Sequence, residues 1–311
     1  MESKNNWKAW LYLAPALILM ALFTFYPLVN TFIMSFLKDY NYITGANSGF
    51  TFENYGIVLG ITPYLDTGDV ATSVYSTDFI RYALPNTLFI TFVTVPISII
   101  LALGIAIGIN SIKWLRGLFQ TIFFLPYVTN VIAVGMVFAL IFAPSGIFNT
   151  LFGLGNKNWI TNTDWNSAMF VLCLYIIWTA LPYKVLIFLS GLQGIDKQYY
   201  EAAKIDSASK RKTIRKITIP LLSPQILYIM ITSFIGSFKE YNAVVGVFNS
   251  ASTGDKNIKD LYTVVYYIYD QIGAADPTKI SFAAAGAVVL FAIILVFTFI
   301  QMAVSKKRVH Y

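Results

Sequence analysis

Charge, cysteine and histidine are scarce in this 311-residue chain. Asp, Glu, Lys and Arg together make up 12% of it, Cys173 is its one cysteine and His310 its one histidine. A single cysteine excludes a disulfide within the chain, and a Cys/His metal site has too few ligands to draw on. No G-x-x-x-x-G-K-[ST] phosphate loop and no H-E-x-x-H pair occurs, and a Ser/His couple would have to recruit His310 at the carboxyl end. No catalytic residue, cofactor or metal is therefore expected, and any ATP that drives this protein is expected to be hydrolysed on another chain.

What is present is apolar: 57% of the residues are hydrophobic and 16% aromatic, a composition outside the range of soluble globules. A bilayer core of about 30 Å needs about 20 mostly apolar residues in a helix. That template fits over 10–36, 83–109, 118–142, 168–192, 223–248 and 280–304. The expected fold class is an all-α membrane protein, a bundle of six transmembrane helices forming one domain over 1–311. The first apolar run continues to about Phe36, well beyond the roughly 7–15 residues of a secretory signal core, and is read as an uncleaved span.

Lys and Arg divide unevenly between alternate connectors. One set holds Lys4 and Lys8, Lys113 and Arg116, then Lys197, Lys204, Lys210, Arg211, Lys212, Arg215 and Lys216, and finally Lys306, Lys307 and Arg308. The other holds Lys38, Arg81, Lys157, Lys256, Lys259 and Lys279 among acids such as Asp39, Glu53, Asp66, Asp69, Asp78 and Asp276. Positive residues stay on the cytoplasmic side, so both termini are expected there. The net charge of +7 thus lies beside membrane spans, which points to anionic lipid headgroups as partners rather than to nucleic acid.

Two of the connectors can be read in detail. The outer one, 37–82, carries the turn residues Gly45, Asn47, Ser48, Gly49, Pro63, Gly68 and Asp69, and is either an ordered cap or a contact for an external partner. In the inner one, 193–223, Asp196 is placed as an N-cap and Ile195 can staple onto Tyr200, opening a helix through Glu201, Ala202, Ala203, Lys204 and Ile205. A second helical piece from Ser209 to near Pro220 sets Ile214 and Ile217 on one side and leaves the basic residues to water or headgroups. On these residues alone the loop is either a docking element or an amphipathic surface helix with no partner.

Glu201-Ala202-Ala203, Asp206 and Ala208, followed by Ile217 and Ile219-Pro220-Leu221-Leu222, resemble the E-A-A loop of binding-protein-dependent ABC importer permeases, E-A-A-x-x-D-G-A followed by I-x-x-P-L-L. The likeness extends along the chain within the carbohydrate-importing branch. Leu13-Ala14-Pro15-Ala16, Tyr26-Pro27 and Ser35-Phe36 resemble its first span, Asn54-Tyr55 and Asn86-Thr87 the approach to its second, and Phe124-Leu125-Pro126 its third. The resemblance implies the type I importer permease fold, a bacterial cytoplasmic membrane, and the larger of two related permease subunits, so a second, homologous permease completes the path. It also implies two ATPase subunits that grip the inner loop at Tyr199, Tyr200, Glu201, Ala202, Ala203, Asp206, Ser207 and Ala208. An extracytoplasmic solute-binding protein would deliver a sugar or oligosaccharide. Ser207 stands where glycine is usual, and a positive φ there costs a serine about 1–2 kcal/mol.

For the solute, a rise of about 1.5 Å per residue from the cytoplasmic ends sets Tyr127 roughly 15 Å deep and Asn130, Trp178, Thr179 and Lys239 roughly 20–22 Å deep. Lys239 and Glu240 stand out because ionisable groups within a span are costly and face a cavity or a partner. The resemblance implies solute contacts at Tyr127 and Val131, at Trp178, Thr179 and Ala180, and at Phe238, Lys239, Glu240, Tyr241 and Asn242. Trp178 and Tyr241 would then offer ring faces to a sugar while Asn130, Thr179, Glu240 and Asn242 bond its hydroxyls. Lys239 either reads an acidic sugar or forms with Glu240 a buried pair without a ligand role. Two other classes stay open. An ion-driven secondary transporter would show internal repeats and several buried acids, and a membrane scaffold would hold the ATPase without moving solute.

Overall fold

The computed structural model describes residues 6–62, 78–112, 116–161, 163–248, 261–274 and 276–305. Lys4, Pro63, Asp66, Gly68, Asp69, Lys113, Lys256, Lys259, Lys306, Lys307, Arg308 and His310 lie outside them. Among the described residues the chain is helical with no named strand: α1 (Asn6–Met20), α2 (Tyr26–Ser35), α3 (Glu53–Val58), α4 (Leu84–Ser111), α5 (Arg116–Val128), α6 (Val131–Ile141), α7 (Ile147–Phe152), α8 (Trp165–Gln193), α9 (Lys197–Ile205), α10 (Lys210–Thr213), α11 (Ile219–Leu221), α12 (Ser223–Phe238), α13 (Asn242–Phe248), α14 (Val264–Ile272) and α15 (Ile280–Ser305).

Wide turns of π-helix occupy Ala21–Phe25, Phe79–Ala83 and Ile214–Thr218, and each ends two residues before a proline: Pro27, Pro85 and Pro220. The cause is shared. A proline has no N–H to give and its ring presses on the carbonyl four residues back, here that of Phe23, Arg81 or Lys216. Letting that carbonyl fall inside a wider turn continues the helix through the proline instead of breaking it. Helices long and apolar enough to cross a membrane run unbroken over Trp10–Ser35, Phe79–Ser111, Trp165–Gln193 and Pro277–Ser305, the first two of them through such a turn.

Two of the six expected spans are not continuous helices, and this corrects the reading of 118–142 and 223–248. In the first, α5 ends at Val128 and α6 leaves at 97°, because Asn130 is extended and its Oδ1 accepts from Ile132 N at 2.8 Å and Ala133 N at 3.4 Å. In the second, α12 ends at Phe238 and α13 starts afresh at Asn242. Lys239 and Glu240 therefore sit in a break, not at successive positions of one helix. The helical run Lys210–Leu221 meets α12 at 66°.

The chain forms two compact units, 1–80 with 267–291 and 81–266 with 292–311. In the first, the stretch after α2 is an ordered knot. Phe36 stacks on Phe50 at 5.2 Å and meets Phe52 and Tyr55, while buried Asn54 donates to Ser35 O and Leu37 O at 3.0 and 2.9 Å. Lys38 and Glu53 pair at 2.7 Å across it, and Tyr40 N donates to Ser281 Oγ of α15.

The second unit is built on α4 and α8. Ala102, Ala106 and Ile109 of α4 pack with Val185, Phe188, Leu189 and Leu192 of α8 and Ile229 of α12. Small residues on α4 let the two helices approach closely, as is usual where no water drives helices together. Trp165 Nε1 donates to Asn86 Oδ1 at 3.0 Å, and Tyr175 Oη donates to Val131 O at 2.6 Å, tying α8 to the start of α6. Where α6 crosses α13, Gly135 lies on Gly246 so tightly that a Cβ on Gly135 would come within 2.8 Å of the Gly246 Cα.

Candidate functional site

Two features of the second unit carry chemistry, a cavity among its apolar helices and the loop from α9 to α11. The cavity encloses about 370 Å³, and both broken spans open onto it. Helix α8 presents Tyr175 and Thr179, Ile176 and Ala180, and then Lys184, successive turns of one face. Thr94 and Ser98 of α4, Ser233 and Ser237 of α12, Glu240 of the second break and Asn242 at the start of α13 complete a wall with many hydroxyls.

Of the expected solute contacts, Tyr127, Val131, Thr179, Ala180, Glu240 and Asn242 line this cavity. Tyr127 stacks on Tyr183 at 5.7 Å, and the Tyr183 and Tyr228 hydroxyls lie 3.0 Å apart. Glu240 Oε1 accepts from Ala243 N at 2.9 Å, closing the first turn of α13. The other expected contacts stand elsewhere. Asn130 caps α6, Trp178 packs against Phe138 at 5.4 Å, and Phe238 is buried against Phe297 at 5.4 Å. Lys239 is exposed, and Tyr241 lies against Tyr266 at 5.5 Å.

Sequence reasoning passed over Lys184, Ser98 and Ser237. Lys184 is 6% exposed, and its Nζ donates to Ser98 Oγ at 2.6 Å. A signal for it exists nonetheless, as the one ionisable Lys, Arg, Asp or Glu in the 29-residue helix α8 and one turn from Ala180.

The loop is defined at both ends. Asp196 is the N-cap of α9, its Oδ1 accepting from Gln198 N at 3.0 Å. At the other end Ser207 N donates to Lys204 O at 3.0 Å and Ala208 N to Ala203 O at 2.9 Å. These are the two bonds of a Schellman ending, which requires a left-handed residue between them. Ser207 takes that position with φ of 52°. Ser209 then caps the next helical piece through Lys212 N, with Ile214 half-buried and Lys210, Arg211, Lys212, Arg215 and Lys216 set around it. Tyr199, Glu201, Ala202, Asp206 and Ser207 face outward, Tyr200 and Ala208 are half-buried, and Ala203 is buried within the chain.

Residues 100–310 match the family described as the binding-protein-dependent transport system inner membrane component. Over 96% of its length this chain is 30% identical to the lactose transport system permease protein of Rhizobium radiobacter, covering 94% of that protein. It is 31% identical to the arabinooligosaccharides transport system permease protein of Bacillus subtilis, over 95% of this chain and 88% of that one. In fold it is similar to a chain of the bacterial alginate ABC transporter solved in complex with an alginate pentasaccharide-bound periplasmic protein, with a TM-score of 0.78, 19% identity, and coverage of 98% and 96%. A match over two thirds of its length, relatives along nearly all of it and the shared helical architecture together place this chain in the family of binding-protein-dependent inner membrane transport components, with the fold of an ABC importer permease.

Proposed function

We propose that the protein is a membrane-spanning permease subunit of an ATP-driven sugar or oligosaccharide importer, working with a second permease, two ATPase subunits and an extracytoplasmic solute-binding protein. The observation that carries this is helix α9: a short helix with defined caps at both ends, projecting Glu201 and Ala202 outward between two apolar helices. A helix fixed at both ends can seat in a groove and transmit displacement without bending. The hydroxyl-rich cavity supports a polyhydroxylated solute, since such walls offer donors and acceptors to replace lost water. The relatives named for lactose and arabinooligosaccharides support the same class. Both termini lie in the cytoplasm on this reading, and the protein is a transport subunit with no enzymatic step of its own.

The loop geometry selects the test. Ala203 is covered by its own chain and a bulky residue there would unseat α9, whereas Ala202 is exposed. Ala202→Trp should therefore leave membrane insertion intact and reduce sugar uptake, and the associated ATPase stimulation, by about tenfold or more in vesicles holding the whole complex. Uptake and stimulation equal to wild type would remove α9 from the coupling role.

A further inference from the structure

Lys184 is a cation in the apolar interior of a span, and its surroundings do not neutralise it. Among the described residues no carboxylate lies within 4 Å of Lys184 Nζ. Its partner is a neutral hydroxyl, Ser98 Oγ at 2.6 Å. Ser98 in turn gives its own proton to Thr94 O at 2.6 Å and Val95 O at 3.0 Å, which orients a lone pair toward the ammonium. An ammonium has three N–H donors. One is used by Ser98 and two remain beside the cavity that Lys184 lines.

A second group in the same wall is also unanswered. Ser237 is 8% exposed and lines the cavity, and its Oγ has no hydrogen-bond partner. Glu240, the carboxylate in that wall, is engaged at Oε1 by Ala243 N. A buried polar atom left without a partner is costly, and a buried cation without a counter-ion more so. Intramembrane charges of this kind mark a solute path.

We propose that the cavity takes saccharides bearing an anionic group, a carboxylate or a phosphate ester, and that Lys184 is the residue that reads that charge, with Ser98 aiming the ammonium and Ser237 bonding a neighbouring oxygen. The proposal rests on the sugar-importer reading and gives it a substrate class. It moves charge recognition from Lys239, which is exposed in the break after α12, to α8. An anion at Lys184 completes a charge-assisted bond that neutral sugars cannot make.

The test is uptake by vesicles holding the complete importer, with an oligouronate, a sugar phosphate and a neutral oligosaccharide of matched length as probes. Wild type should favour at least one acidic probe, and comparison of the two identifies which anion is read. Lys184→Gln should raise KM for that probe about 10- to 100-fold and by a clearly larger factor than for the neutral probe, and Lys184→Arg should retain much of the preference. Lys184→Met is read beside them so that loss of fold in one variant does not pass for loss of recognition. Unchanged KM for both acidic probes in Lys184→Gln and Lys184→Met overturns the proposal while leaving the importer reading in place. Equal loss of acidic and neutral uptake in both variants makes Lys184 a structural bridge between α4 and α8 and also overturns it. Failure of wild type to move any saccharide overturns the importer reading and this proposal with it.

Discussion

At the scale of the residue, Ser207 shows how a backbone requirement can outlast the amino acid best suited to it. The two hydrogen bonds that finish α9 demand a left-handed residue, and the chain supplies a serine at φ 52°. Removing its Cβ relieves about 1–2 kcal/mol of strain, against an entropic cost of about 0.5–1 kcal/mol for freeing the unfolded backbone. Ser207→Gly is therefore expected to stabilise the loop by up to about 1.5 kcal/mol, and Ser207→Val, branched at Cβ, to weaken it. Hydrogen exchange at the amides of Asp206, Ser207 and Ala208 measures both: slower exchange in the glycine variant and faster in the valine variant are expected, and the reverse order would refute the strain argument. The ends of α9 are legible in the amino-acid sequence, because Asp196 and Ser207 carry local rules that act within a few residues. Lys184 is legible only as the single charged residue of its helix, a signal that hydropathy averaged over 29 residues hides.

At the scale of the element, the breaks matter as much as the spans. Apolar content marks which segments enter a bilayer, and it locates the continuous helices well. It is blind to the direction a helix takes, so 118–142 and 223–248 read as rods when each is two pieces. The information lies in polar side chains that bond the backbone: Asn130 across the start of α6 and Glu240 across the start of α13. Because both short helices begin at the cavity, their mutual packing holds its wall. Gly135 and Gly246 are the contact. Gly135→Ala is expected to force α6 off α13, costing about 1–3 kcal/mol as overpacking does, lowering the unfolding temperature in detergent and reducing solute uptake. Ala at Gly104, whose Cβ would meet nothing within 4 Å, serves as the control and should leave both unchanged. Equal behaviour of the two variants would show that the α6–α13 contact does not support the cavity.

At the scale of the whole molecule, the proposed function gives one chain one docking loop, so a working importer would need a second permease for its second ATPase. Mass measurement of the purified complex is expected to show two different permeases with two ATPase chains, and a transport-active complex of this chain alone would defeat the arrangement. Helix α8 gives that assembly a further property. It runs unbroken from Trp165 to Gln193, carries Lys184 on its cavity face, and ends shortly before α9 begins at Lys197. At about 1.5 Å per residue, Lys184 and Gln193 are separated by only about 14 Å along the helix. Linkage between two sites is reciprocal: whatever free energy nucleotide binding spends on reshaping the cavity, an occupied cavity returns to the nucleotide site in equal measure. On the proposed coupling, the same rod would let bound cargo shift the affinity of the ATPases for nucleotide, so that a loaded and an empty importer would hold nucleotide with different strength.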